Sequence, residues 1–576
     1  MISRVAESAQ PHRQRRHTFW VTLFFIVVTA MLTWPQAIVL TTHAVDHQDI
    51  YFNLWRLRWV AHALSTSPWD LFGGNIFYPE PRALTFSDAM LVEGLIGAPL
   101  MWIGLPPMLV HNLLLLGAIV ASGVGMFVLA RDLTGSRGAG IVAGLIFSFV
   151  PYRFDHYMHM ELQWIMWTPW AFWALHRTFL TGSLRYGLLT GMFVALQMLS
   201  SIYYGLFLGT LLGLCAFCLL LGAHGRRLSI VKALAAGGAL AAILSAAYSI
   251  PYLASKQQVG GRSDDEIITF SARPSSYLVA TPDNVLWGRA FASRGRPERR
   301  LFPGALALLL AVIGLLLKPP PRAAIVYLIG GVAAFEMSLG FSGYSFRFLY
   351  DHVPMFQGLR AMARAGIFVV FFLAALAAFG YEAIASSLRR IPRMVFLAVI
   401  VAVLIGEYRV HRLTLFSYPN EAPPIYAWLA QQPSGVVVEL PMPVPDALPG
   451  PDARYAYLST FHWHPLLNGY SGFFPASYVD RTDALRTFPD DSSILRLKRD
   501  GARYLLLHVG AYPQEDRDAI LEALTQRHRM AELARFGEGA HDSNSDAQAN
   551  KRSDIAEQHP DSLPSVRTFP LATVSL

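Results

Sequence analysis

Asp46 and Asp49 stand three residues apart in the stretch TTHAVDHQDIYFNLWRLRW (41–59), just past a long apolar run. In a helical turn the two carboxylates share a face; in a loop both can reach one site. Acidic groups at the end of a membrane helix are functional candidates, because burial near lipid disfavours their charged form. The plain alternative is a solvated loop start, or an N-cap for the next helix. A second cluster lies in PYRFDHYMHMELQW (151–164), where Arg153, Asp155, His156, His159 and Glu161 crowd together. Such groups bind a phosphate, a metal or a hydroxyl. Two histidines at i, i+3 do not by themselves make a zinc site. An ordinary interfacial loop, with Arg153 reaching to headgroups, is the other reading.

A third set occupies GFSGYSFRFLYDHVPMFQGLRAMAR (340–364), which carries Arg347, Arg360 and Arg364. Arg360 and Arg364 have the spacing of one helical turn, which suits a clamp on a phosphate group. Binding of anionic lipid without catalysis is the alternative. Lys256 and Arg262 are further candidates for the same work, and Tyr203 and Tyr204 of SSIYYG (200–205) join the substrate-binding set. A divalent cation, magnesium or manganese, would draw on Asp46, Asp155 and His159.

These residues sit in a chain of 576 residues that is 53% hydrophobic and 15% charged. A soluble protein carries nearer a quarter charged residues. Many apolar runs reach the roughly 20 residues that cross a bilayer core. The net charge of +8 comes from Lys and Arg in short loops between apolar runs. That is the positive-inside pattern of a membrane protein rather than a nucleic-acid footprint. Cys215 and Cys218 lie within LGLCAFCLLL and read as small buried hydrophobes, with no disulfide framework.

The spans expected are about 19–40, 108–130, 137–151, 163–178, 186–201, 205–223, 231–253, 303–318, 322–339, 365–386 and 393–410. The basic N-terminus makes the first of them a retained signal anchor. Residues 88–105 carry Asp88 and Glu93 and read as a half-inserted helix. Trp55, Trp59 and Trp69 suit a helix in the headgroup zone, and Trp164, Trp167, Trp170 and Trp173 an aromatic belt and packing face. Beyond 411 the chain turns polar, with strand-like runs at 435–441 and 502–510 and an aromatic, Gly-rich stretch between them. The expected division is a membrane part (1–410), a small α/β domain (411–536) and a mostly disordered tail (537–576).

This layout resembles the GT-C superfamily of membrane glycosyltransferases. The resemblance is carried by D-x4-LW-x-LRW-x2-HAL (49–64), NIFYP (75–79), ARDLTGSR (130–137), PYR-x5-H (151–159), the YYG turn and FHW-x-PL-x-NGYSGFFP (461–475). These motifs are similar to those of a bacterial branch near the mannosyl- and arabinosyltransferase-like membrane proteins. The resemblance implies a polytopic α-helical, GT-C-like fold of about 11 transmembrane helices plus juxtamembrane helices, with an extracytoplasmic C-terminal α/β domain. It implies an enzyme of the cytoplasmic (inner) membrane that uses a polyprenyl-phosphate-linked sugar on the outer face, with the N-terminus cytoplasmic. It places Asp49 at the family's acidic position and His159 at its loop histidine. The rivals are a lipid-sugar flippase, for which Glu336 and Glu382 are the few candidate residues in spans, and a non-catalytic scaffold for envelope assembly.

Overall fold

The computed structural model describes residues 11–571 except 224, 260, 292–295, 317–319, 446–447, 449, 529 and 537–565. Each expected span coincides with a helix. These are Pro11–Leu32, Pro107–Thr134, Arg137–Phe149, Trp167–Thr181, Leu184–Ser200, Ile202–Leu221, Arg227–Val259, Ala305–Leu315, Arg322–Ser338, Gly366–Ala385 and Arg390–Tyr408. Among the described residues, five stretches are long and apolar enough to cross a bilayer: Pro107–Thr134, Ile202–Leu221, Arg227–Lys256, Met362–Ala385 and Arg390–Tyr408. The chain is a helical membrane protein. Its first helix ends at Leu32 rather than near 40, because Pro35 lacks the N–H that would continue the ladder.

Small residues let some helices approach closely. A Cβ on Gly191 would lie 1.9 Å from the carbonyl oxygen of Gly237, so only glycine fits where Leu184–Ser200 meets Arg227–Val259. The short basic loops gather on one face of the bundle. Arg177 pairs with Asp132 at 2.6 Å, and Arg393 reaches both Glu382 (2.7 Å) and Ser136 (3.1 Å).

The opposite, loop-rich face holds the short helix expected within 88–105 and departs from expectation at the helix before it. Leu91–Trp102 is a 12-residue helix, about 18 Å long, too short for a hydrocarbon core of roughly 30 Å. The Gln48–Thr66 helix is enclosed by protein rather than laid open along a headgroup layer. It is packed between Leu91–Trp102, Pro107–Thr134 and the Asp452–Ser459 helix. Trp55 is fully buried and Trp59 nearly so, stacked on each other, while Trp69 alone of the three is exposed.

The C-terminal part is stapled to this face. Strand β1 (His43–Val45) pairs antiparallel with β2 (Leu415–Ser417). Asn75 accepts from the Leu466 N–H, and Phe77 donates to Asn468 O, so NIFYP and NGYSGFFP meet backbone to backbone. A four-stranded sheet follows, ordered β3 (Val436–Leu440), β4 (Ala502–His508), β6 (Val566–Pro570), β5 (Ala534–Phe536). β3 and β4 run parallel; β6 is antiparallel to both of its neighbours. The strand β6 comes from the stretch assigned to the tail: it pairs along its whole length with the buried β4, and its Val566, Thr568 and Phe569 are buried. The disorder expected over 537–563 lies outside the described residues.

Candidate functional site

A cavity of about 350 Å³ lies where the first helix of the loop-rich face, the second outer cluster, the 354–364 loop and the C-terminal part converge. Asp49 lines it from the first turn of Gln48–Thr66. His47 caps that helix, its Nδ1 accepting from the Asp49 N–H at 3.1 Å. The cap sets the helical phase that turns Asp49 inward, beside the positive end of the helix dipole.

Both carboxylate oxygens of Asp49 are held. Oδ1 accepts from the Tyr470 hydroxyl at 2.8 Å. Oδ2 faces His159 Nε2 at 2.9 Å and His47 Nδ1 at 3.4 Å. Burial by itself pushes the Asp49 pKa up; the charge and hydrogen bond of His159, with His47 and Tyr470, outweigh it and hold the carboxyl below the usual carboxylate range. Behind His159 stands His156, Nδ1 to Nδ1 at 3.4 Å. Burial, with His159 beside it, keeps the His156 ring well below its ordinary pKa.

Glu161 also lines the cavity, held by Arg56 at 3.1 Å in a pair with 2% and 8% exposure. Arg56 donates as well to Asp88 O at 2.7 Å. This buried pair fastens the second cluster to the first helix. The Asp88 carboxyl, which accepts from the Ile202 N–H at 2.7 Å, is raised to about 6, by burial first and by Glu161 second.

Four further cations line the cavity: Lys256, Arg262, Arg360 and Arg364. Arg360 and Arg262 share one oxygen of Glu266, at 2.7 and 3.2 Å. Arg262 also lies over the Phe473 ring at 3.4 Å, and Lys256 donates to Gln357 Oε1 at 2.6 Å. Arg364 differs. It is 9% exposed and lies over the Tyr203 ring at 4.8 Å. Its Nε is buried without a hydrogen-bond partner, and among the described residues it makes no ion pair. The Tyr203 hydroxyl accepts from the Arg360 N–H at 2.9 Å, so one tyrosine sets both arginines. Arg364 sits in the 3-10 turn Met362–Ala365 and Arg360 precedes it, which replaces the helical turn expected of the pair.

The structure thus brings together Asp49, His159, Glu161, Tyr203, Arg360 and Arg364. Other expected residues stand elsewhere. Asp46 precedes the cap and is exposed to solvent, off the cavity wall. Arg153 is buried and donates to the side chain and carbonyl of Gln163, at 3.0 and 2.7 Å, so its guanidinium closes its own loop. Tyr204 is fully buried against Phe368. Asp155 is taken by Arg300 at 2.8 Å and Thr281 at 2.9 Å. Asp46, Asp155 and His159 therefore do not fit the expected magnesium or manganese site. Among the described residues no three His, Cys, Asp or Glu side chains are placed to hold a metal ion.

Tyr470, Asp88 and Glu266 went unnoticed as site residues in the sequence. The dense NGYSGFFP stretch was the available signal for Tyr470; its partner lies 421 residues earlier.

No protein-family model matches this chain, and no curated protein matches it. Among solved structures it is similar to the archaeal oligosaccharyltransferase AglB from Archaeoglobus fulgidus, in complex with an inhibitory peptide and a dolichol-phosphate. The TM-score is 0.52 at 11% identity, covering 86% of this chain and 70% of that one. The apo form of the Archaeoglobus fulgidus oligosaccharyltransferase gives a TM-score of 0.46 at 11% identity, covering 85% and 69%. AglB is a GT-C superfamily member, and the first of these likenesses is one of fold.

Proposed function

We propose that this chain is a GT-C-type membrane glycosyltransferase that moves a sugar from a polyprenyl-phosphate-linked donor to an acceptor hydroxyl. The observation that carries the reading is the pairing of opposites across one cavity. A doubly held carboxylate, Asp49, shares the cavity with a group of cations whose innermost member, Arg364, makes no direct ion pair among the described residues, Glu298 and Glu161 acting on it only through space. A buried, unpaired guanidinium is costly unless an anion completes it, and a phosphate fits its donors. The solved AglB complex, with its dolichol-phosphate, supports a lipid phosphate as that anion. Leu253, Met355 and Ile202 give the cavity an apolar rim for the lipid chain.

In this reading the acceptor oxygen forms a bond to the anomeric carbon as the bond from that carbon to the phosphate oxygen breaks. The bonding pair leaves with the lipid phosphate, whose growing charge meets Arg364, Arg360, Arg262 and Lys256. The hydroxyl proton passes to Asp49. A carboxylate held this acidic takes the proton late, once bond formation has made the hydroxyl strongly acidic, and His159 beside it spreads the charge. A positioned base of this kind contributes roughly 10²–10⁴-fold. One displacement without a covalent intermediate inverts the anomeric centre.

The finer points of the proposal are about eleven crossings, a cytoplasmic N-terminus, and a site on the outer face of a bacterial inner membrane, serving envelope assembly. The flippase reading is disfavoured by Glu336 and Glu382. Glu336 accepts from the backbone N–H of Ser345, and Glu382 is paired with Arg393; neither is left to carry cargo. The test is purified protein in lipid nanodiscs with a panel of polyprenyl-phosphate sugars, scoring released lipid phosphate and glycosylated acceptor. Release with none of the donors overturns the reading.

A further inference from the structure

We propose that Tyr470 is a positioning residue that fixes the Asp49 carboxylate, so that the C-terminal part of the chain completes the reaction site. The inference rests on the glycosyl-transfer reading for its consequence and on geometry for its substance. The Tyr470 hydroxyl donates to Asp49 Oδ1 at 2.8 Å while His159 holds Oδ2 at 2.9 Å. Grips on both oxygens, from two segments remote in sequence, stop the carboxylate from turning about its last torsion. The ring is braced too: it meets Phe52, on the same helix as Asp49, edge to face at 5.3 Å.

The loop that carries Tyr470 is anchored on either side of it. Before it, Asn468 exchanges two hydrogen bonds with the Glu439 backbone, each 2.8 Å, and Gly469 N–H donates to buried Asp452 at 3.3 Å. Gly469 has no room for a side chain, since a Cβ would lie 2.4 Å from the Phe77 ring. After it, Arg262 lies on the Phe473 ring and donates to Gly472 O at 2.7 Å. Arg262 belongs to the cation group, so one loop touches the carboxylate wall and the phosphate wall together. A loop held this firmly sets the hydroxyl to within a fraction of an ångström, the tolerance a preorganised site requires. The charged and titratable groups that face Asp49 are His47, His159 and Tyr470, and Arg56 and Arg360 act on Tyr470.

The decisive variant is Tyr470→Phe, which keeps the ring and removes only the hydroxyl. Tyr504→Phe, whose hydroxyl donates to Pro433 O at 2.8 Å in the outer sheet, is the control for losing a buried hydroxyl. Two readouts are taken on full-length protein in nanodiscs. In steady-state transfer, Tyr470→Phe lowers kcat about tenfold or more, the range for one hydrogen bond to a charged group, with donor KM unchanged. In the second, Asp49 is modified with a water-soluble carbodiimide and an added amine: the protonated carboxyl gives its proton to a carbodiimide nitrogen, its oxygen adds to the central carbon, the amine displaces the urea, and the amide is read by peptide mass spectrometry. Losing the Tyr470 donor makes ionised Asp49 less favourable, so labelling runs several-fold faster than in wild type and in Tyr504→Phe. Accelerated labelling supports the positioning role even where no donor turns over, an outcome that sinks only the transferase reading. Wild-type labelling rates in Tyr470→Phe overturn the inference, as does unchanged kcat in a protein that turns over.

Discussion

Among the described residues, a carboxylate, a histidine and a tyrosine meet in two places. In the cavity Asp49 contacts His159 at 2.9 Å and Tyr470 at 2.8 Å. In the C-terminal sheet Glu439, near the end of β3, contacts His508, at the end of the parallel β4, and Tyr426, both at 2.7 Å. The side-chain chemistry is nearly the same and the surroundings are not. Asp49 and His159 keep 16% and 22% exposure and border a cavity edged with cations. Glu439 and His508 are 0% and 4% exposed, enclosed by Tyr455 and the helix before β3. A trio with access to a cavity can do chemistry on a ligand; a sealed one can only hold strands together.

The contrast breaks most directly at Asp49. Asp49→Asn leaves the protein folded in the membrane and lowers sugar transfer by roughly 10²–10⁴-fold, read as lipid phosphate released per minute. Undiminished turnover would erase the distinction between the two trios. Arg364→Gln is next: losing the unpaired guanidinium costs about 10²-fold in kcat, while Arg347→Gln, whose 3.9 Å contact with Asp264 is exposed, leaves turnover unchanged. The sealed trio answers in stability instead. His508→Leu strands a buried hydrogen-bonding carboxylate and costs about 1–3 kcal/mol, measured as a lower melting temperature, with turnover per folded molecule unchanged.

The smallest effect is a pH slope. Burial raises the carboxyl of Asp452, which braces the Tyr470 loop, to about 7 from an ordinary 3.8. A raised folded-state value means that the folded form holds its proton more tightly than the unfolded form. Its contribution to stability is therefore full below about 4 and is lost as the pH rises through 7. Melting of the C-terminal part should be higher at pH 5.5 than at pH 8, and Asp452→Asn should flatten that difference.

Much of the helical body was legible because a bilayer demands long apolar runs, and the eleven segments read that way are all helices. Charge left at the mouths of those runs pointed to Asp49, His159, Glu161, Arg360 and Arg364, which share one cavity. What stayed hidden depended on phase and distance. Asp46 and Asp49 look alike in a string; the His47 cap, one residue beyond Asp46, decides which faces inward. Trp55 and Trp59 read as headgroup-zone residues because the sequence does not show that the Asp452–Ser459 helix packs on their helix. Asp155 and Arg153 had the right chemistry but found partners, Arg300 and Gln163, that no local spacing reveals.

The β1–β2 staple has a consequence for biosynthesis. The cap residue His47 and its neighbour across the staple, Tyr418, are 371 residues apart, roughly 20 to 70 seconds of ribosome time. Throughout that interval the nascent chain has no Tyr470 to steady Asp49. The Asp49 cavity is thus completed only when the far end of the polypeptide arrives, and on the proposed transferase reading a prematurely terminated product is an inert bundle rather than an unregulated enzyme.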